Sequence, residues 1–148
     1  LYGLKGDVPE GSYAIPFNEA NVVREGGDVT VVAIGMMLHK TMEAATALAK
    51  EGVQCEVIDP RTTSPLDLDT IIESVENTGR LVVVDESNPR CSMAADISAQ
   101  VTEQAFGSLK GPVRMVTAPH CPPPFSDVLE DLYIPSPEKI AEAVRTLK

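Results

Sequence analysis

The sequence predicts an α/β domain in which helices cover both faces of a mostly parallel sheet. Short runs rich in Val and Ile recur along the chain, amphipathic segments of helical period separate them, and Gly, Pro or Asp stands at most of the boundaries. Such alternation is typical of right-handed strand–helix–strand units in a three-layer α/β/α domain. The 148 residues, 43% of them hydrophobic, suit one domain with a substantial core.

The first part of the chain has no apolar period. Residues 1–12 hold three glycines and a proline, so we expect a linker over residues 1–14 and the folded domain over residues 15–148. A short edge strand is expected around residues 21–23. The regular pattern begins with residues 29–34, whose apolar, β-branched run predicts a buried strand that ends at Gly35.

The middle of the chain continues with a helix, a strand and a second helix. The apolar residues of the first helix are Leu38, Met42, Ala45 and Ala49, and Gly52 follows them as a C-cap. Residues 55–58 are the next strand, closed by Asp59-Pro60. The second helix has Asp67 as its N-cap, Gly79 after its end, and an apolar stripe of Leu68, Ile71, Ile72 and Val75.

The last part of the chain repeats the alternation. Residues 81–84 are apolar without alternation, which indicates a central strand covered on both faces. A third helix follows, with Ala94, Ile97, Val101 and Ala105 at helical spacing. Residues 113–116 alternate and predict a half-exposed strand. After a long loop, a closing helix begins with Ser136 as N-cap and Pro137 in its first position, and its apolar face is Ile140, Val144 and Leu147.

Composition and charge exclude several classes of function. Twelve Lys+Arg against 22 Asp+Glu give a net charge of −10, which repels nucleic acid and anionic membrane surfaces and favours partners with basic patches. No apolar run has the ~20 residues that span a bilayer, and no signal peptide is recognisable. The three cysteines are widely spaced, and with two histidines they predict no metal site. We therefore expect reduced thiols in a cytoplasmic protein.

Polar residues gather where the predicted strands end. In an open α/β sheet, ligands bind beyond the carboxyl ends of the strands. We call the residues at these ends the strand-end polar cluster: His39, Asp59, Arg61, Asp85 and Glu86. Arg61 beside Asp85 or Glu86 predicts an ion pair, which serves either a binding edge or an internal link between loops. His39 either contacts an anion at the helix N-terminus or satisfies local backbone groups.

The sequence offers little support for catalysis by this chain alone. Neither GxGxxG, GxxxxGK[ST] nor GxSxG occurs. Cys91 and Cys121 can be considered as nucleophiles or as redox-sensing thiols, with His120 next to Cys121. Because no third orienting group is evident, we expect them to be ordinary thiols.

A proline-rich stretch precedes the closing helix. Four prolines within residues 119–124 stiffen the chain, and a rigid loop loses little entropy on docking. It is either a contact surface or a simple return crossover. The candidates for docking are Pro119, His120, Phe125, Asp127, Glu130 and Asp131.

Several segments together resemble the C-terminal domain of transketolase-like enzymes, and most closely the β subunits of the first component of 2-oxo acid dehydrogenases. The segments are 15–17, 20–26, 28–35, 57–62, 64–67, 78–86, 122–126 and 133–137. The resemblance implies a five-stranded sheet with one antiparallel edge strand. It also implies a longer polypeptide, whose pyrimidine-binding domain would precede residues 2–6.

The resemblance further implies an enzyme that is complete only in a larger complex. Thiamine diphosphate and magnesium would lie between an α subunit and the preceding domain, and the family's GDG…NN motif is absent here, so we expect no cofactor, metal or catalytic residue in this chain and no activity from it in isolation. The complex would pass an acyl group to the lipoyl group of an acyltransferase. The implied partners are the α subunit, a second β subunit and the basic subunit-binding module of the dihydrolipoyl acyltransferase, which an acidic domain would attract.

Two segments bear on the substrate. Residues 88–92 (Asn-Pro-Arg-Cys-Ser) replace the glycines usual in relatives that act on pyruvate or branched-chain 2-oxo acids, and His120 replaces an acidic residue. Both features resemble acetoin dehydrogenases. The pyruvate and branched-chain enzymes stay as alternatives, as does a stand-alone α/β domain that binds a small ligand at the strand-end polar cluster.

Overall fold

The computed structural model describes residues 3–148 as alternating strands and helices that follow an exposed N-terminal segment. The strands are β1 (Asn21–Arg24), β2 (Val29–Ala33), β3 (Cys55–Asp59), β4 (Leu81–Val84) and β5 (Arg114–Val116). The helices are α1 (Met37–Lys50), α2 (Leu68–Thr78), α3 (Met93–Ala105), α4 (Asp127–Tyr133) and α5 (Pro137–Arg145). Within this part of the chain no helix combines the length and the apolar character needed to cross a membrane.

The strands form one sheet in the order β1-β3-β2-β4-β5. β2 pairs in parallel with both β3 and β4, and β4 pairs in parallel with β5. β1 is antiparallel to β3, with a bulge between Val22 and Arg24. Position 26, after this bulge, requires glycine because a Cβ there would clash with the backbone of Cys55. The expected mostly parallel sheet with one antiparallel edge strand is confirmed.

Two separate cores lie on the two faces of the sheet. The first joins β2, β3 and β4 to α1 and α5, and the second joins the same strands to α2 and α3. All residues of β2 and β4 are buried, as expected for central parallel strands covered on both faces. The three-layer α/β/α architecture is therefore confirmed.

The caps of the later helices are as the sequence predicts. The side chain of Asp67 accepts a hydrogen bond from the N–H of Thr70, and Gly79 ends α2 in the left-handed conformation (φ 75°). Ser136 caps α5 through the N–H of Lys139. Each side-chain cap satisfies a backbone donor that the first helical turn leaves open.

Helix α1 forms as predicted, but its buried face is offset from the predicted apolar residues, of which only Ala45 is fully buried. The buried residues are Met37, Thr41, Ala44, Ala45 and Leu48, whereas Leu38, Met42 and Ala49 are only partly buried. The small side chains allow close approach of α1 to both the sheet and α5, and the larger Leu38 and Met42 lie at the margin of the core. Apolar periodicity alone could not show that a threonine would face inward.

The C-terminal residues are fastened to the amino ends of the strands. Arg80, which precedes β4, donates through Nε to the carbonyl of Leu147 at 2.7 Å. Lys148 Nζ donates to the carbonyl of Gly52 at 3.3 Å, and Arg145 forms a bidentate ion pair with Glu51 at the end of α1. This pair lowers the pKa of Glu51, chiefly through the hydrogen bond.

Candidate functional site

The carboxyl ends of β2 and β3 open a crevice because their connections leave in opposite directions. The chain after β2 enters α1 on one face of the sheet, and the chain after β3 enters α2 on the other. Open α/β sheets bind ligands beyond the carboxyl ends of their strands, and in this strand order the topological switch point itself lies one strand over, between β2 and β4.

A cleft of about 530 Å³ occupies this crevice. We call it the β2–β3 cleft. His39, Asp59 and Arg61 are its charged or titratable residues, and its apolar wall includes Leu38 of α1 and the segment 15–17. The volume is in the range of small-molecule sites. The structure therefore brings together three members of the strand-end polar cluster.

The backbone at Arg61 is held in an uncommon conformation. Arg61 has φ 56°, a left-handed geometry that costs a non-glycine residue about 1 kcal/mol. Its N–H donates to Oδ1 of Asp59 at 3.0 Å, and this short turn stabilises the conformation. The side chain of Arg61 is exposed and lines the cleft.

The predicted ion pair between Arg61 and Asp85 or Glu86 is absent from the described residues. The reason is the strand order: β2 lies between β3, which precedes Arg61, and β4, which precedes the two acids. The sequence could not fix this order. Asp85 is 5% exposed and accepts hydrogen bonds from the N–H and the hydroxyl of Ser87 at 3.0 and 2.6 Å, whereas Glu86 is exposed.

The N-terminal segment forms one wall of the cleft, which the sequence did not predict. The N–H of Asn18 donates to Oγ1 of Thr62 at 3.2 Å, and the N–H of Ala20 donates to Oδ2 of Asp67 at 2.8 Å. Burial opposes the ionisation of Asp67, but the hydrogen bonds from Ala20 and Thr70 outweigh it and lower the pKa of this carboxyl. Asp67, the N-cap of α2, therefore also anchors the segment that carries Phe17. The side chain of Phe17 is 79% exposed.

The proline-rich stretch leads into α4, a helix in place of the predicted loop. None of its residues is buried. Phe125, Val128, Leu129 and Leu132 form an exposed apolar face, and Asp127, Glu130 and Asp131 lie on the opposite side by helical spacing. The apolar spacing and Ser126 before the acidic first turn were the available signals. Three of the docking candidates, Asp127, Glu130 and Asp131, thus lie on one side of α4, opposite its apolar face.

His120 lies beside this element in a hollow of about 340 Å³ with Asn88, Cys121 and Tyr133. The hydroxyl of Tyr133 donates to the carbonyl of Cys121 at 3.0 Å and ties the end of α4 to the loop. Pro119 and His120 are exposed. The side chain of His120 is therefore accessible from solution.

The thiols differ in their surroundings. Cys55 is buried, and burial raises its pKa to about 11. Cys91 and Cys121 are exposed and unpaired. Among residues 3–148, no group of three His, Cys, Asp or Glu side chains is arranged to hold a metal ion.

Comparison with known proteins extends over nearly the whole chain. The family model for the transketolase C-terminal domain matches residues 18–140. Acetoin:2,6-dichlorophenolindophenol oxidoreductase subunit beta of Cupriavidus necator is 65% identical over 98% of this chain, and the Bacillus subtilis protein of the same name is 49% identical over 99%. Pyruvate dehydrogenase E1 component subunit beta of Bacillus subtilis is 42% identical over 96% of the chain.

The chain matches 43% of the length of each of these three relatives. A solved structure described as a split-gene transketolase, inactive beta4 tetramer, superimposes with a TM-score of 0.80 at 26% identity. The superposition covers 96% of this chain and 45% of the transketolase chain.

Proposed function

This chain belongs to the transketolase C-terminal domain family, and on that premise we propose that it is the C-terminal domain of the β subunit of a thiamine-diphosphate-dependent dehydrogenase that acts on acetoin. The 65% identity to the acetoin oxidoreductase subunit of Cupriavidus necator carries the proposal, since the pyruvate dehydrogenase subunit of Bacillus subtilis is 42% identical. The parent complex would operate in the cytoplasm and pass an acyl group to a lipoyl acyltransferase.

The role of this domain in such a complex would be assembly. The described residues do not fit thiamine diphosphate with magnesium, because they hold no metal-binding cluster and the first-turn N–H groups of α1 already donate to the carbonyls of Ile34, Gly35 and Met36. The cofactor would therefore be held by other parts of the complex.

The two sides of α4 suggest two kinds of contact. The exposed apolar face suits the α subunit or a second β subunit, because apolar side chains of this size are normally covered. The acidic side, with Asp127, Glu130 and Asp131, suits the basic subunit-binding module of the acyltransferase, since opposite charge steers association.

A binding experiment tests the acidic contact. We expect the purified module to bind with an affinity that falls as salt is raised, and Asp127→Lys or Glu130→Lys to weaken it about tenfold. Glu103→Lys, an exposed charge reversal on α3, is the matched control. Equal affinity in all three variants would remove the docking role of α4.

A second experiment tests the assignment of the cofactor and the substrate. Calorimetry with thiamine diphosphate and Mg²⁺ is expected to show no binding to this chain and clear binding to the full-length β subunit assembled with its α subunit. The assembled complex is expected to turn over acetoin faster than pyruvate. Tight cofactor binding by the chain alone contradicts the assembly role, whereas a preference for pyruvate contradicts only the substrate.

A further inference from the structure

The β2–β3 cleft combines a cation, an anion and an apolar wall. We propose that the cleft binds a small organic acid that carries an amino or hydroxyl group beside its carboxylate and an apolar side chain. This site does not depend on the proposed enzymatic role, because it is built from residues of this chain alone.

Arg61 and His39 provide the carboxylate end of the site. The guanidinium group presents its donors in a planar fork that matches a carboxylate, and the described residues engage Arg61 in no salt bridge. The turn from Asp59 fixes the backbone that presents this side chain. His39, from the first turn of α1, lines the same cleft and supplies a second donor.

Asp59 selects for a hydrogen-bond donor next to that carboxylate. Its Oδ1 accepts from the N–H of Arg61, and no hydrogen bond of the described residues uses Oδ2. The second oxygen is therefore an acceptor for an ammonium or hydroxyl group. The same negative charge disfavours a dianion such as phosphate, because like charges in one cleft repel.

The apolar wall accounts for the side chain of the ligand. Leu38 lies on the α1 side of the cleft, and Ile15 and Phe17 lie on the other. The N-terminal segment is held by its hydrogen bonds to Thr62 and Asp67, so this wall is part of the fold. A branched ligand side chain would cover apolar surface that is otherwise in water.

The backbone N–H groups at the start of α1 are not free to bind the ligand. The N–H groups of Met37, Leu38 and His39 donate to carbonyls of the preceding turn at 3.1 to 3.2 Å. Recognition therefore falls to the side chains of the cleft, which can be changed one at a time.

Four probes with the same branched side chain test the site by amide shifts in the ¹⁵N-labelled chain. L-Leucine and 2-hydroxy-4-methylpentanoate carry both polar groups, 4-methylpentanoate lacks the second donor, and 3-methylbutylamine lacks the carboxylate. We expect one or both of the complete probes to shift the amides of Gly35, His39 and Arg61, and the truncated probes to bind about tenfold more weakly. If neither complete probe shifts these amides at concentrations up to about 10 mM, the proposal is overturned.

Variants assign the contacts. Arg61→Gln is expected to weaken the tighter complete probe about tenfold, whereas Arg90→Gln, on the exposed loop after β4, leaves its affinity unchanged. Asp59→Asn is expected to reduce the advantage of that probe over 4-methylpentanoate while 4-methylpentanoate still binds, which is a pattern that loss of folding cannot produce. The assigned contacts, and with them the proposed ligand class, are overturned by either of two results. One is that Arg61→Gln binds the complete probe as tightly as the wild type does. The other is that Asp59→Asn prefers the complete probe over 4-methylpentanoate as strongly as the wild type does.

Discussion

The carboxylate of Asp67 joins two distant parts of the chain, because its Oδ2 accepts the N–H of Ala20 at 2.8 Å while Oδ1 accepts the N–H of Thr70 at 3.1 Å. One side chain thus caps α2 and fixes the entry of the N-terminal segment into the sheet. The geometry of the β2–β3 cleft depends on this link, since Phe17 lies only three residues before Ala20.

Removal of this carboxylate should destabilise the domain. We expect Asp67→Ala to lower the free energy of unfolding by about 1–2 kcal/mol, because it leaves the N–H groups of Ala20 and Thr70 without their acceptor. Urea unfolding measures the change. Asp69→Ala, at an exposed position in the first turn of the same helix, is the control, and an equal loss in the two variants would contradict the role of Asp67.

The same link predicts a dependence on pH. The folded pKa of Asp67 is lowered, so its contribution to stability is present above the unfolded pKa of about 4 and is lost as pH falls through the lower folded pKa. The difference in unfolding free energy between the wild type and Asp67→Ala should therefore shrink in that acidic range. A difference that stays constant or grows as the solution is acidified speaks against an ionised anchor.

A buried hydroxyl on the central strand should matter for the packing of α2. Oγ1 of Thr30 lies 2.7 Å from both the Ser74 and Thr78 hydroxyl oxygens, and all three residues are buried. We expect Thr30→Val, which keeps the shape, to cost about 1–3 kcal/mol because both partners lose a hydrogen bond away from water. Thermal or urea unfolding measures it, with the exposed Thr63→Val as control; indistinguishable stabilities of the two variants would show that the cluster contributes nothing.

The cysteines should divide into two classes on alkylation. Iodoacetamide at neutral pH is expected to label Cys91 and Cys121 in the folded chain and to spare Cys55, since burial shields that thiol and raises its pKa to about 11. All three should react in urea. Peptide mass spectrometry distinguishes the sites, and rapid native labelling of Cys55 would mean that the first core opens readily.

The elements with strong local signals were predictable from the sequence. The strands 81–84 and 29–34, the Asp67 cap and Gly79 are encoded by apolar runs and turn chemistry within a few residues. The family resemblance added the antiparallel β1, which local patterns alone did not orient. The family match confirms the resemblance, and the sheet topology confirms β1 as an edge strand.

The failures of prediction have a common physical cause. The ion pair from Arg61, the inward face of Thr41 and the wall formed by Phe17 depend on contacts between residues far apart in the chain. α4 is a different case, since its local signals extend over only seven residues and none of those residues is buried.

The fastening of Leu147 by Arg80 has a practical consequence. Those residues lie at the amino ends of the strands, whereas the β2–β3 cleft lies beyond the carboxyl ends, about 15 Å away along a five-residue strand. A fluorescent reporter or an affinity handle attached to Lys148 therefore leaves both α4 and the cleft open, and surface immobilisation through that end presents them to the solution.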